Sequence, residues 1–181
     1  MVGTNQHGMK TPMEIVPSKL EDVDVIFELY DAATAYQRTV TKKWWQGFER
    51  STVVQEIREG RHFVIKAGDD IACTFVLTFN DPVIWKEADA DPAIYIHRIA
   101  TNAKYRGSSF VQQIATWLRA YGQERNKGYI RLDTHSGNER LNKHYIRCGF
   151  TFVGTSAITW TDDLPEHYKD GPFSLFEIAL K

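Results

Sequence analysis

Residues 94–121, IYIHRIATNAKYRGSSFVQQIATWLRAY, decide the fold. Ile94 to Thr101 is rich in β-branched and apolar residues, as a buried strand requires. Lys104-Tyr105-Arg106-Gly107-Ser108-Ser109 follows with the composition of a loop. Phe110, Ile114, Trp117, Leu118 and Tyr121 then recur at helical spacing, so a long amphipathic helix begins after Ser108. A strand that feeds a Gly/Ser loop into a helix makes an anion site. The first-turn N–H groups have no partner within the helix, and the helix dipole favours negative charge there. The rest of the chain is expected to hold this unit beside a second one, Asn138 to Phe150.

Working outward, Tyr129 to Thr134 is the next strand. A strand–helix–strand run is a crossover connection, so these two strands are expected to be parallel. Upstream, Met13 to Val16 is a short strand and Glu21 to Gln37 a helix with Val23, Ile26, Phe27, Tyr30 and Ala33 on one face. Glu49 to Glu59 is a second helix ended by Gly60. Arg61 to Ala67 and Ile71 to Phe79 flank Gly68-Asp69-Asp70, which reads as a hairpin. Asn80 to Pro92 is read as a loop with the acidic run Glu87-Ala88-Asp89-Ala90-Asp91. Downstream, Asn138 can cap a helix that stops at Gly149, and strands are expected at Phe150 to Gly154 and Phe173 to Leu180, with a polar loop through Asp162 and Pro165 between them. The order is that of a mixed α/β sheet with helices on both faces.

Composition bounds the function. A chain of 181 residues with 43% hydrophobic and 25% charged residues is expected to form one globular domain with a real core. The expected boundaries are a disordered tail at 1–11 and the domain at 12–181. A net charge of −1 supplies no field for nucleic acid, and no apolar run is long enough for a membrane span. The first residues have no signal-peptide core, so a cytoplasmic location is expected. Cys73 and Cys148 read as two apolar residues of a reduced compartment, and no Cys/His cluster suggests a metal.

At two places the sequence resembles the GNAT superfamily of N-acetyltransferases. In that family a central strand ends in a loop of pattern Arg/Gln-x-x-Gly-x-Gly/Ala that wraps the pyrophosphate of acetyl-coenzyme A. The matching segment is Arg106-Gly107-Ser108-Ser109-Phe110-Val111, after Ile99-Ala100-Thr101. The second signature is an Asn, a helix, a Tyr and a terminal Gly-Phe, found here from Asn138 through Tyr145 to Gly149-Phe150. The resemblance implies a single-domain, mostly antiparallel sheet with a central parallel pair splayed around a coenzyme A groove. It implies acetyl-CoA as cofactor, held by main chain at Ile99, Ala100 and Thr101, by Arg106, Gly107, Ser108, Ser109, Phe110 and Val111, and by Asn138 and Tyr145. Ser109 and Val111 stand where the pattern has glycine, which lets backbone N–H groups approach phosphate without a Cβ in the way. Ser109 is expected to cap the helix, and Val111 to crowd the phosphates.

The implied activity is acetyl transfer to a primary amine, on a small molecule or a peptide, by direct attack in a ternary complex. Tyr145 is then the candidate general acid, because a neutral phenol can protonate a leaving thiolate. Asn138 lies seven residues before it, two turns along one helix face. An alkylamine is protonated at pH 7, so a base is needed. His97 on the central strand is the catalytic candidate, with Asp133, His135 and the acidic run as others. Trp44 and Trp45 stand where the family shapes its acceptor pocket. Lys104, Arg106, Arg140, Lys143 and Arg147 are candidates for phosphate contact, Arg106 first by its motif position. A homodimer is left open. The alternative is a catalytically silent module of the same fold that binds an acyl-CoA or a protein, motivated by Ser109 and Val111.

Overall fold

A computed structural model describes residues 12–162, 164, 169 and 171–181. The expected tail at 1–11 lies outside the described residues, as does part of the loop before the last strand. The strands are β1 (Met13–Pro17), β2 (His62–Ala67), β3 (Asp70–Thr78), β4 (Ala93–Thr101), β5 (Tyr129–His135), β6 (Thr151–Ser156) and β7 (Phe173–Ala179). The helices are α1 (Val23–Val40), α2 (Arg50–Arg58), α3 (Pro82–Trp85), α4 (Phe110–Gln123) and α5 (Glu139–Arg147). The seven strands form one sheet in the order β1-β2-β3-β4-β5-β7-β6. Every neighbouring pair is antiparallel except β4 and β5, as the crossover through α4 requires.

Alternation along the strands assigns the two faces. Phe63, Ile65, Phe75 and Leu77 pack with Ile114, Ala115 and Leu118 of α4, whereas Val64, Ile71 and Ala100 pack with Val23, Ile26, Tyr30 and Val53 of α1 and α2. Each fully buried aliphatic side chain in these layers contributes roughly 1.5–3 kcal/mol. Asn80 to Pro92 is not the open loop expected. Asp81 caps α3 by accepting the Ile84 N–H at 3.3 Å, a 3-10 turn continues from Lys86 to Ala90, and Ile84 and Trp85 are buried against Tyr95. A short apolar insertion, Pro82-Val83-Ile84-Trp85, outweighs the surrounding polarity.

Two features open a fork in the centre of this sheet. β4 and β5 pair only over Ala93–Tyr95 and Tyr129–Arg131. Beyond that point their facing main-chain groups leave the ladder. On its other side, β4 carries one extra residue against β3. Thr74 faces Ala100 and Val76 faces His97, so two steps on β3 match three on β4. The bulge contains Arg98 at φ 50°, in the left-handed region. A bulge bends and twists its strand, here at the point where β4 leaves β5. The strained residue is held by its side chain. Arg98 pairs with Glu56 of α2 and lies over the Phe48 ring at 5.0 Å and the Tyr30 ring at 5.8 Å.

Candidate functional site

The fork is one wall of a cleft of about 2060 Å³. Its lining runs from the α1–α2 connection, across β4 and the loop before α4, to the end of β5 and the start of α5. It includes His97, Ile99, Thr101, Arg106 to Val111, Asn138 and Tyr145, so residues far apart in sequence come together. Ala100 is absent from the lining. Its methyl group is buried against α1 and α2, which leaves only its main chain to face the fork.

The loop before α4 turns at Gly107, φ 86°, where an added Cβ would meet no atom within 4 Å. The space above this backbone is open, and glycine is there for its conformation. Ser109 takes the position before α4 at φ 54° and ψ 43°. It does not cap the helix as expected, because its side chain makes no hydrogen bond to the first turn. Only its carbonyl takes part, accepting the Gln113 N–H at 3.1 Å. A left-handed residue here costs a β-carbon some strain, and this accounts for glycine in the family pattern. Val111 also departs from expectation. It is 8% exposed and packs in the core under α4 with Ile114 and Leu132, so its bulk is directed into the core. Arg106 lines the cleft with its guanidinium 4.6 Å from the Tyr36 ring centre. Lys104 turns away instead, to pair with Asp70, which also accepts the Tyr105 hydroxyl at 2.6 Å. The arrangement suits an elongated ligand with an anionic group at the α4 end.

The second unit stands on the other side. Asn138 caps α5, its Oδ1 accepting the Leu141 N–H at 3.1 Å, and its amide group remains at the cleft. Tyr145 packs on Phe176 at 5.3 Å between ring centres. Burial raises its phenol well above the usual value, and the nearby Asp133 charge adds to this. The group therefore stays protonated at neutral pH.

On the opposite face of the fork, Asp81, His97 and Asp133 each offer an atom within 4.8 Å of the other two. His97 Nε2 lies 2.9 Å from the Thr78 hydroxyl. Burial raises Asp81 to about 6, opposed by the Ile84 N–H and aided by Asp89. Burial and then the charge of Asp81 raise Asp133 to about 7. Asp81 was not among the expected site residues. Its one sequence signal is Asp-Pro, a helix start. The acidic run is tied into structure. Asp89 accepts the Asp81 N–H at 2.5 Å, and Asp91 holds Arg131 at 2.6 Å. Trp45 packs edge-on to Tyr30 and Phe48 and, with Trp44, lines the far wall. His135 lies 4.6 Å from the Phe173 ring centre at the end of β5.

Known proteins share this architecture. The model of the acetyltransferase (GNAT) family matches residues 25–150. The uncharacterized N-acetyltransferase YesJ of Bacillus subtilis is 24% identical over 149 residues, 78% of this chain and 83% of that protein. A GNAT-family acetyltransferase structure from Listeria monocytogenes superposes with a TM-score of 0.73 at 22% identity, covering 93% of this chain and 95% of that one. The yncA structure from Salmonella typhimurium, which contains its cofactor acetyl-CoA, gives 0.64 at 13% identity over 93% and 94%. A forked seven-stranded sheet, a Gly-bearing loop at α4 and a family match over two thirds of the sequence lead to one assignment: the chain belongs to the acetyltransferase (GNAT) family.

Proposed function

We propose that this protein is an acetyl-CoA-dependent N-acetyltransferase that acetylates a primary amine by direct attack in a ternary complex. The observation that carries this reading is the fork itself. β4 and β5 part after Tyr95 and Arg131, and the cleft at the parting is lined by Tyr145 from α5 and by Asp81, His97 and Asp133. Acetyl-CoA, when bound, supplies an activated thioester. Gly107, Ser108 and the start of α4 would hold its pyrophosphate, with Arg106 at the rim, and the unpaired edge of β4 at Ile99 to Thr101 would hold the arm. A main-chain N–H of that edge would stabilise negative charge on the carbonyl oxygen.

Tyr145 belongs to the α5 face. Its raised phenol holds a proton at Oη until sulfur on that side needs one. His97 belongs to the opposite face, where an amine would enter, and its imidazole takes the proton that the amine must lose. Acid and base on opposite faces keep the two proton transfers from cancelling each other. Trp45, Phe48 and Phe110 give the cleft apolar walls beside this space.

The test is to incubate the protein with acetyl-CoA and a panel of primary amines, following thiol release and the mass of the amine. Amine-dependent thiol release with matching N-acetyl product is the expected result. Thiol release without any acetylated amine across the panel would contradict the reading in favour of thioester hydrolysis, and no release would favour a silent acyl-CoA-binding module.

A further inference from the structure

The motif at the start of α4 ends with Val111, and Gln113 stands two residues beyond it. Resting on the acetyltransferase reading above, we propose that Gln113 is the positioning residue of the phosphate loop. From behind the loop it turns two consecutive main-chain N–H groups, those of Ser109 and Phe110, toward the cofactor pyrophosphate. It thereby fills the role that glycine at position 109 has in the family pattern.

Three observations carry this. First, Gln113 ties down both carbonyls of the Ser108-Ser109 pair. Its Nε2 donates to the Ser108 carbonyl at 2.6 Å, and its main-chain N–H donates to the Ser109 carbonyl at 3.1 Å. A helical side chain leans toward the N-terminus of its helix, so a glutamine one turn into α4 reaches back to the loop. Second, a planar trans peptide unit points its C=O and its N–H in opposite directions. A Ser108 carbonyl fixed on Gln113 therefore sends the Ser109 N–H the other way. A Ser109 carbonyl fixed within the helix sends the Phe110 N–H out of its first turn. Ser108, Ser109 and Phe110 line the cleft, whereas Gln113 is half-buried in a separate groove with Met13, Ile15 and Trp117. Two successive N–H groups, one on a left-handed residue at φ 54° and the next on the first helical residue, make a concave seat for an anion. With the Ser108-Ser109 peptide unit turned over, a carbonyl oxygen would face the phosphate instead. Third, the serine supplies no hold of its own. Its side chain makes no bond to the first turn, and a β-carbon disfavours the left-handed conformation. The restraint on this peptide unit comes from Gln113.

Gln113 is outside the cleft lining, so it acts on the cofactor through the loop alone. Its effect is confined to the phosphate end and leaves the fork untouched.

The test is calorimetric titration of CoA into the native protein, Gln113→Leu, Ser109→Gly and the double variant. Gln112→Leu, at an exposed position of the same turn, is the control. Leucine keeps the helix propensity of glutamine and removes the donor. Gln113→Leu is expected to weaken CoA about tenfold, with the ligand-free unfolding temperature within about 2 °C of native. In the Ser109→Gly background the same substitution should cost about threefold or less, because glycine takes the left-handed turn without restraint. Gln112→Leu should bind CoA as the native protein does. Unchanged affinity in Gln113→Leu, a loss that Ser109→Gly does not reduce, an equal loss in Gln112→Leu, or an unfolding temperature that falls in step with affinity overturns the proposal. Should Gln113→Leu fail to fold, Gln113→Met takes its place, and failure of both makes Gln113 a structural residue and overturns the proposal too. CoA binding by the native protein without any effect of Gln113→Leu sinks only this proposal. A native protein that does not bind CoA up to about 1 mM sinks the acetyltransferase reading on which it rests.

Discussion

The closed and open ends of the β4–β5 fork are adjacent and opposite in character. At the closed end, Arg131 is buried and fully engaged: Glu177, Asp91, the Ala88 carbonyl and the Tyr95 hydroxyl all bond to it, and the Trp85 ring lies 4.6 Å away. Two residues further along the same face, Asp133 is half-buried, lines the cleft, and lies within 4.8 Å of Asp81 and His97. At the closed end the chain satisfies its buried charge, whereas at the open end the buried Asp81 Oδ2 has no hydrogen-bond partner. On the function proposed above, the closed end supplies structure and the open end chemistry, and substitution should separate them.

Arg131→Ala should have the largest effect. It strips a buried cation from Glu177 and Asp91 and should cost about 3 kcal/mol in urea unfolding. That is the low end for such a break, because Asp91 remains partly in water. A loss under about 1 kcal/mol would mean the closed end is no lock. Tyr145→Phe should invert the pattern, lowering turnover about 100-fold with cofactor affinity and stability nearly unchanged. A fall in stability to match would make Tyr145 a packing residue.

Asp133→Asn probes the open end by pH. The folded value near 7 lies above the unfolded value of about 3.9, so the folded state binds its proton more tightly. Native stability attributable to this group is therefore full below about pH 4 and declines as pH rises to about 7. Asparagine cannot titrate. The variant should gain on the native protein across that interval, by about 1 kcal/mol or more, and level off above it. An advantage independent of pH would mean that Asp133 does not titrate with a raised value in the folded protein. Ser109→Gly should be smallest, gaining about 0.5–1 kcal/mol by relieving a left-handed β-carbon. A loss instead would mean that the serine side chain makes a contact worth keeping.

The contrast also explains what could be read from the sequence. The β4–loop–α4 unit and the Asn138–Phe150 unit were legible because hydrophobic period, loop chemistry and capping are local signals. Tyr145, Asn138 and Arg106, named with them, all line the cleft. The fork was not legible as a cause. It depends on a bulge at Arg98, and arginine in the left-handed region has no sequence signature. Its partner Glu56 lies 42 residues earlier. The place of β7 between β5 and β6 is long-range in the same way. Asp81 was hidden by its surroundings, since a polar stretch from Asn80 to Pro92 reads as solvent-facing until Ile84 and Trp85 are seen to bury it.

The central claim is that the open end of the fork binds acetyl-CoA. Thermal unfolding with increasing acetyl-CoA tests it most directly, because a ligand that binds only the folded state must stabilise it. At about 100 times its dissociation constant the cofactor should add about 2.7 kcal/mol, a rise of about 5–10 °C for a chain of this size. An unfolding temperature that does not move at millimolar acetyl-CoA would contradict the account.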